Sequence, residues 1–208
     1  MTSAAKFWDR IANKYAKSPI ANEEAYQHKL HKTQSYLNKN MQLLEIGCGT
    51  GSTALQHAPF VKHLRAVDFS EKMIEIAKQK GEQAQINNVT FAVSTAQAEL
   101  AGAQEYDMIL ALSILHLLPN RQAVIQQAYQ RLKPGGLFVT STACLRDGFV
   151  FLMPILKIGR LLKLLPYVEM FTGTTLINEF KGAGFEIEYQ WTPGKRQATF
   201  VIAKKPEI

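Results

Sequence analysis

A doubly wound, mostly parallel α/β sheet is the fold this chain predicts, on three observations. Short apolar runs alternate with amphipathic helical stretches from residue 41 onward, the pattern that builds parallel sheets covered by helices on both faces. The first apolar run, Leu43-Leu44-Glu45-Ile46, passes into Gly47-Cys48-Gly49-Thr50-Gly51-Ser52, which reads as a tight turn into a helix. The second, Leu64-Arg65-Ala66-Val67-Asp68, ends on a carboxylate.

A strand that ends in glycines lets backbone N–H groups and a helix N-terminus approach a ligand closely. Asp68 lies about 20 residues past Gly47, where an acid at the tip of the neighbouring strand accepts hydrogen bonds from both hydroxyls of a ribose. NAD and S-adenosylmethionine (SAM) both carry such a ribose. The dinucleotide fingerprint needs Gly-x-Gly-x-x-Gly or Ala. Here the spacing is Gly-x-Gly-x-Gly, Ser52 stands at the last small position, and Glu45 interrupts a strand that dinucleotide folds keep apolar. These features disfavour a nicotinamide oxidoreductase.

The 208 residues suit one domain, 1–208, and 47% hydrophobic against 20% charged residues supplies a sizeable core. A net charge of +7 is compatible with nucleic acid, anionic lipid, an acidic small molecule or a merely solvated basic surface. Cys48 and Cys144 are far apart and in no metal spacing, so a reducing compartment and no metal site are expected. The first 20 residues carry Lys6, Asp9, Arg10, Lys14 and Lys17 without an apolar stretch, and no 18-residue apolar run exists. A cytoplasmic location without a transmembrane helix is the expectation.

In chain order, residues 1–40 read as an N-terminal helical cap. Phe7, Ile11 and Tyr15 fall at helical spacing in 4–17, and a second amphipathic helix follows over 22–38, separated by Ser18-Pro19. Residues 52–58 form the helix behind the glycine turn. Ser70 is a natural N-cap for a helix over 71–80, with Gly81 as its stop. Phe69 and Met73, just past Asp68, border either the core or an adenine ring. Val89–Ser94 is a third strand and Tyr106–Leu112 a fourth. Gln122–Leu132 is helical, Lys133-Pro134-Gly135-Gly136 a stop and turn, and Leu137–Thr142 a fifth strand. Residues 145–175 form a helical insertion in which apolar residues interleave with Lys157, Arg160 and Lys163. It reads as a lid on the core, a wall for a lipophilic acceptor, or a patch that rests on an anionic membrane. A last helix over 174–181 stops at Gly184, and a hairpin around Pro193-Gly194 closes the chain.

Leu43–Ser52, Ala66–Lys78, Tyr106–Pro119 and Leu132–Val139 resemble, in family order, the successive motifs of class I SAM-dependent methyltransferases, the branch that includes ubiquinone and menaquinone C-methyltransferases. The resemblance spans residues 41 to 143. It implies a Rossmann-like seven-stranded sheet with one antiparallel strand near the edge, and SAM as cofactor with S-adenosylhomocysteine (SAH) as product. It places Glu45, Gly47, Cys48, Gly49, Gly51, Asp68, Phe69, Met73, Thr95, Ala96, Leu112 and Ser113 around that cofactor. Many members carry Gly-Asp-Ala after the third strand, whose Asp binds adenine; this chain has Ser94-Thr95-Ala96, so Thr95 is the expected substitute, with Gln97 and Glu99 nearby. Asp107 resembles the family's acid at the start of the fourth strand, a structural position.

Methyl transfer from a sulfonium needs alignment of nucleophile, carbon and sulfur more than acid–base help. His116 matches the first His of the family's Leu-His-His pattern, with Leu117 in place of the second. An imidazole that titrates near about pH 6.5 suits proton removal, so His116 is the candidate base. Tyr15, by resemblance an aromatic facing the site, is the second catalytic candidate, and Tyr26 ranks below both. The acceptor is expected to be small or lipophilic. The alternatives are an RNA or protein methyltransferase and a non-catalytic SAM-binding or membrane-docking protein. Nucleic acid is disfavoured, because Ala111-Leu112-Ser113-Ile114 stands where base N-methyltransferases carry Asn/Asp-Pro-Pro-Tyr.

Overall fold

The computed structural model describes residues 3–148, 159, 167–194 and 196–207. Seven strands form one sheet: β1 (Gln42–Ile46), β2 (His63–Asp68), β3 (Val89–Val93), β4 (Tyr106–Leu112), β5 (Leu132–Thr142), β6 (Glu186–Trp191) and β7 (Thr199–Lys204). Their spatial order is β3-β2-β1-β4-β5-β7-β6. The first five run parallel, and β7 is antiparallel to both β5 and β6. The chain leaves β1 in one direction along the sheet and returns through β4 in the other. That reversal opens a crevice at the carboxyl ends of β1 and β4, where ligands of such sheets bind.

The helices described are α1 (Ser3–Lys17), α2 (Glu23–Gln34), α3 (Ser52–His57), α4 (Glu71–Gln83), α5 (Ala96–Leu100), α6 (Arg121–Arg131) and α7 (Gly173–Gly182). Alternation along each strand separates two cores. Leu44, Ile46 and Ile109 face α6 and α7 through Val124, Ile125, Leu176 and Phe180. Leu43, Leu64, Met108 and Phe91 face α3 and α4 through Ala54, Ile74 and Ala77.

Several boundaries differ from the expectation for local reasons. The second helix is shorter than 22–38: Asn22 caps it by accepting the Ala25 N–H at 2.9 Å, and it ends at Gln34. Gly81 does not stop α4. The helix runs to Gln83 and ends with Gln85 at φ 53, the Ile86 N–H reaching the Gly81 carbonyl and the Gln85 N–H reaching Glu82, a left-handed cap made without glycine. Gly81 instead admits the Phe91 ring. Gly184, at φ 99, does end α7. Lys133-Pro134-Gly135-Gly136 lies inside β5 as an irregularity, because Gly135 and Gly136 stay paired with Lys205. Asp107 accepts the Gln42 N–H at 2.7 Å and Lys133 Nζ at 2.8 Å, which ties strand starts together far from the crevice. The lid and membrane-patch reading of 145–170 falls on residues most of which lie outside those described; within it, Leu145–Asp147 forms a short 3-10 turn.

Arg121 fastens the helical layer beyond β5. Its side chain is 4% exposed, pairs twice with Glu179 of α7 at 2.7 Å, meets Glu169 at 2.9 Å and lies 3.6 Å over the Phe171 ring. Removal of one member of a buried pair strands the other charge. Arg121→Met is expected to destabilise the fold by about 3–5 kcal/mol in urea unfolding; a change under about 1 kcal/mol would show the pair to be dispensable.

Candidate active site

The crevice is built on one carboxylate. Asp68 Oδ2 accepts the Gly49 N–H at 3.0 Å and Oδ1 accepts the Ser70 N–H at 2.9 Å. Burial raises its pKa, against the backbone N–H groups of Ser70, Gly49 and Phe69, which lower it. Ser70 caps α4 through the Met73 N–H and donates its hydroxyl to Asp9 of α1 at 2.6 Å. Asp9 also accepts the Lys72 N–H. One polar chain therefore fixes the glycine turn, the tip of β2, the start of α4 and the N-terminal helix.

The resulting cleft encloses about 690 Å³, open mouth included, and is lined by Ala4, Trp8, Tyr15, Gly47, Gly49, Asp68, Phe69, Met73, Leu112, Ser113, Ile114, Leu117, Leu118 and Tyr167. Eight of the expected residues meet here: Tyr15, Gly47, Gly49, Asp68, Phe69, Met73, Leu112 and Ser113. Ser113 holds φ 60, a left-handed geometry uncommon for a residue with a side chain. Trp8, Ile114, Leu117, Leu118 and Tyr167 join them without having been singled out as cleft residues. Ile114, Leu117 and Leu118 follow β4, where the crevice rule alone points; Trp8 stands beside the row of Phe7, Ile11 and Tyr15 on α1.

The three glycines have different tasks. All sit at positive φ. A Cβ on Gly47 would strike Ile114, and one on Gly51 would strike Ala77 and Phe91 at 2.8 Å. These two make room for protein. Gly49 alone is open: a Cβ there would meet only Tyr15 Cε1, at 3.8 Å. Gly51 lies outside the lining of the cleft and lets α4 and β3 close on the turn.

Other expected residues stand apart. Cys48 is buried, and its thiol pKa is well above the ordinary value because of burial and the nearby Glu45 and Asp68, so it is no nucleophile. Thr95 does not reach the cleft: it caps α5 by accepting the Ala98 N–H at 3.1 Å, and Ala96 packs into the core on the far face. Glu99 is engaged by Arg65. His116 is also off the lining. Burial lowers its pKa to about 4 and leaves Nδ1 without a partner, which makes it a weak base at neutral pH. Tyr15 is half exposed over the mouth, its phenol pKa raised by burial and then by Asp68 and Glu45.

Glu45 is fully buried, with Oε2 unpartnered, and burial followed by the charge of Asp68 raises its pKa to about 8. Glu45 lies inside the sheet and is not among the residues lining the cleft. The residues present fit a nucleoside bearing an amino-acid end: Asp68 and the open Gly49 give the cleft a polar end, and Phe69 and Met73 line it with apolar surface beside Asp68. Among the described residues no group of three metal-ligating side chains gathers, and no helix is long and apolar enough to cross a membrane.

A family model described as a methyltransferase domain matches residues 37–170. A demethylmenaquinone methyltransferase of Leptospira interrogans is 30% identical over 141 residues, covering 64% of this chain and 57% of that protein. A malonyl-[acyl-carrier protein] O-methyltransferase of Bacillus cereus is 31% identical over 141 residues, covering 67% and 49%. The chain spans about half the length of these curated relatives. Among solved structures, the N-methyltransferase NodS of Bradyrhizobium japonicum, in complex with SAH, superposes with TM-score 0.72 over 99% of this chain and all of that one, at 18% identity. The chain belongs to the class I SAM-dependent methyltransferases, whose cofactor is SAM.

The Glu45 assignment has a pH signature. Its folded pKa lies above the unfolded value of about 4.3, so it contributes stability at low pH that is lost as pH rises through about 8. His57 and His116 have folded pKa values lowered to about 4; their contribution is present above about pH 6.5 and lost on acidification toward 4. The two effects oppose each other below about pH 6.5. Between about pH 6.5 and 8, the ligand-free protein is expected to lose up to about 1.4 kcal/mol per pH unit, and Glu45→Gln to remove that slope. Denaturant unfolding at a series of pH values reads it; an unchanged slope in the variant would place Glu45 outside the account.

Proposed function

We propose that this chain transfers the methyl group of SAM to a small, lipophilic acceptor. The observation that carries this is the division of the cleft. Its polar end is Asp68 with Gly47 and Gly49, and its other walls are Trp8, Leu112, Ile114, Leu117, Leu118 and Tyr167. SAM, when bound, supplies an activated methyl group on a sulfonium. Asp68 holds the ribose, Gly49 gives backbone access, and the apolar walls orient the acceptor and exclude water, so that alignment does most of the work. The two curated relatives, named for a demethylmenaquinone and for a malonyl-carrier substrate, agree with an acceptor other than nucleic acid.

Among the described residues, the titratable groups on the cleft are Tyr15, Asp68 and Tyr167. Asp68 is held by backbone N–H groups and the Tyr15 pKa is raised, so neither of these two is a base poised for neutral pH.

Hydrogen bonds to a charged group contribute about 1.5–3 kcal/mol. Asp68→Ala is therefore expected to weaken SAM binding about 10–100-fold by calorimetry; unchanged affinity would remove Asp68 from the site. Methyl-labelled SAM incubated with the protein and a lipid-soluble extract is expected to label an extractable product. Tight SAM binding with no label transferred to lipid, RNA or protein fractions would favour a non-catalytic binder.

A further inference from the structure

A second polar position lies one strand beyond the cleft wall. Leu112 and Ser113 line the cleft. Leu112 pairs with Ser141 of β5, Ser141 with Phe200 of β7, and Phe200 with Trp191 of β6. Paired residues on adjacent strands project from the same face, so this row runs from the cleft across the sheet. The Ser113 N–H also donates to the Ser141 carbonyl at 2.7 Å. Helix α2 lies over the row. Its Lys29 Nζ donates to Ser141 Oγ at 3.2 Å, and its His28 stacks 4.1 Å from Trp191 while meeting the Tyr189 hydroxyl at 3.0 Å.

Lys29 is partly buried, and among the described residues its side-chain partner is that neutral hydroxyl. Among the described residues, no carboxylate pairs with it, whereas Arg65, Lys72, Arg121, Lys133 and Lys204 all hold one. Burial lowers its pKa, as expected for a cation removed from water without a counter-charge. Lys80 is also held by hydroxyls, but those of Thr50 and Ser52 on the flank of the turn that packs against α4. Lys29 ties α2 to β5 through one hydroxyl, and its ammonium keeps donor capacity that an anion would complete.

We propose that Lys29, with the Ser141 hydroxyl, anchors a carboxylate carried by the methyl acceptor, whose apolar body lies along the row toward Leu112. The ammonium then selects acidic acceptors over neutral ones, and α2 is the specificity element of the site. This rests on the methyl-transfer reading for what the ligand is.

The test is calorimetric titration of benzoate, benzamide and phenyl phosphate into the protein with saturating SAH. Benzoate is expected to bind at least tenfold tighter than benzamide. In Lys29→Met, which keeps the stem and removes the charge, that preference is expected to fall below twofold. SAH affinity should stay within twofold, and the melting temperature should not drop; a lysine with a merely structural task would lower it. Lys29→Arg is expected to retain part of the preference. A wild type that binds no benzoate or fails to discriminate, or a Lys29→Met that still does, overturns the proposal. Phenyl phosphate binding tenfold tighter than benzoate overturns the carboxylate assignment. Failure of SAH to bind counts against the methyl-transfer reading, while the benzoate comparison without SAH still reads Lys29.

Discussion

The carboxylate of Asp68 is the constraint on which this molecule depends. It sits at the tip of β2 and takes one N–H from the glycine turn after β1 and one from the start of α4. Because Ser70 then passes the connection to Asp9, the N-terminal helix is held over the same point. A side chain there without two acceptor oxygens would leave the Gly49 or the Ser70 N–H without this partner. The same oxygens retain lone pairs, so the group that assembles the site also has acceptor capacity to offer a ligand.

Packing around the turn shows how three glycines in alternation divide their tasks. Gly47 and Gly51 yield space to Ile114, Ala77 and Phe91; close packing there drives the turn against β4 on one side and α4 on the other. Gly49, between them, is left facing the cleft. Glu45 lies one turn of backbone behind, buried and short of a partner.

The strands, their alternation with helices and the position of the crevice were legible because each rests on local chemistry. Apolar runs of strand length, Ser70 as a cap and Gly184 as a stop are written in a few adjacent residues. The errors came where a distant partner decides. Gly81 was read as a stop, but the helix runs on to Gln83 and is capped through Gln85; Lys133–Gly136 was read as a turn, but Lys205 keeps it in the sheet. Thr95 looked like an adenine contact until α5 began directly after it. His116 was placed by a motif that says nothing of burial, and burial is what weakens it as a base. Lys29 carried no signal at all: a lysine on an amphipathic helix looks solvated until the strand beneath it is known.

A crystal structure of the protein soaked with SAH tests the central claim most directly. The account predicts both ribose hydroxyls within hydrogen-bond distance of the Asp68 carboxylate, with the homocysteine chain passing the open side of Gly49. A ligand lodged elsewhere, with Asp68 still bound only to Gly49 and Ser70, would contradict it.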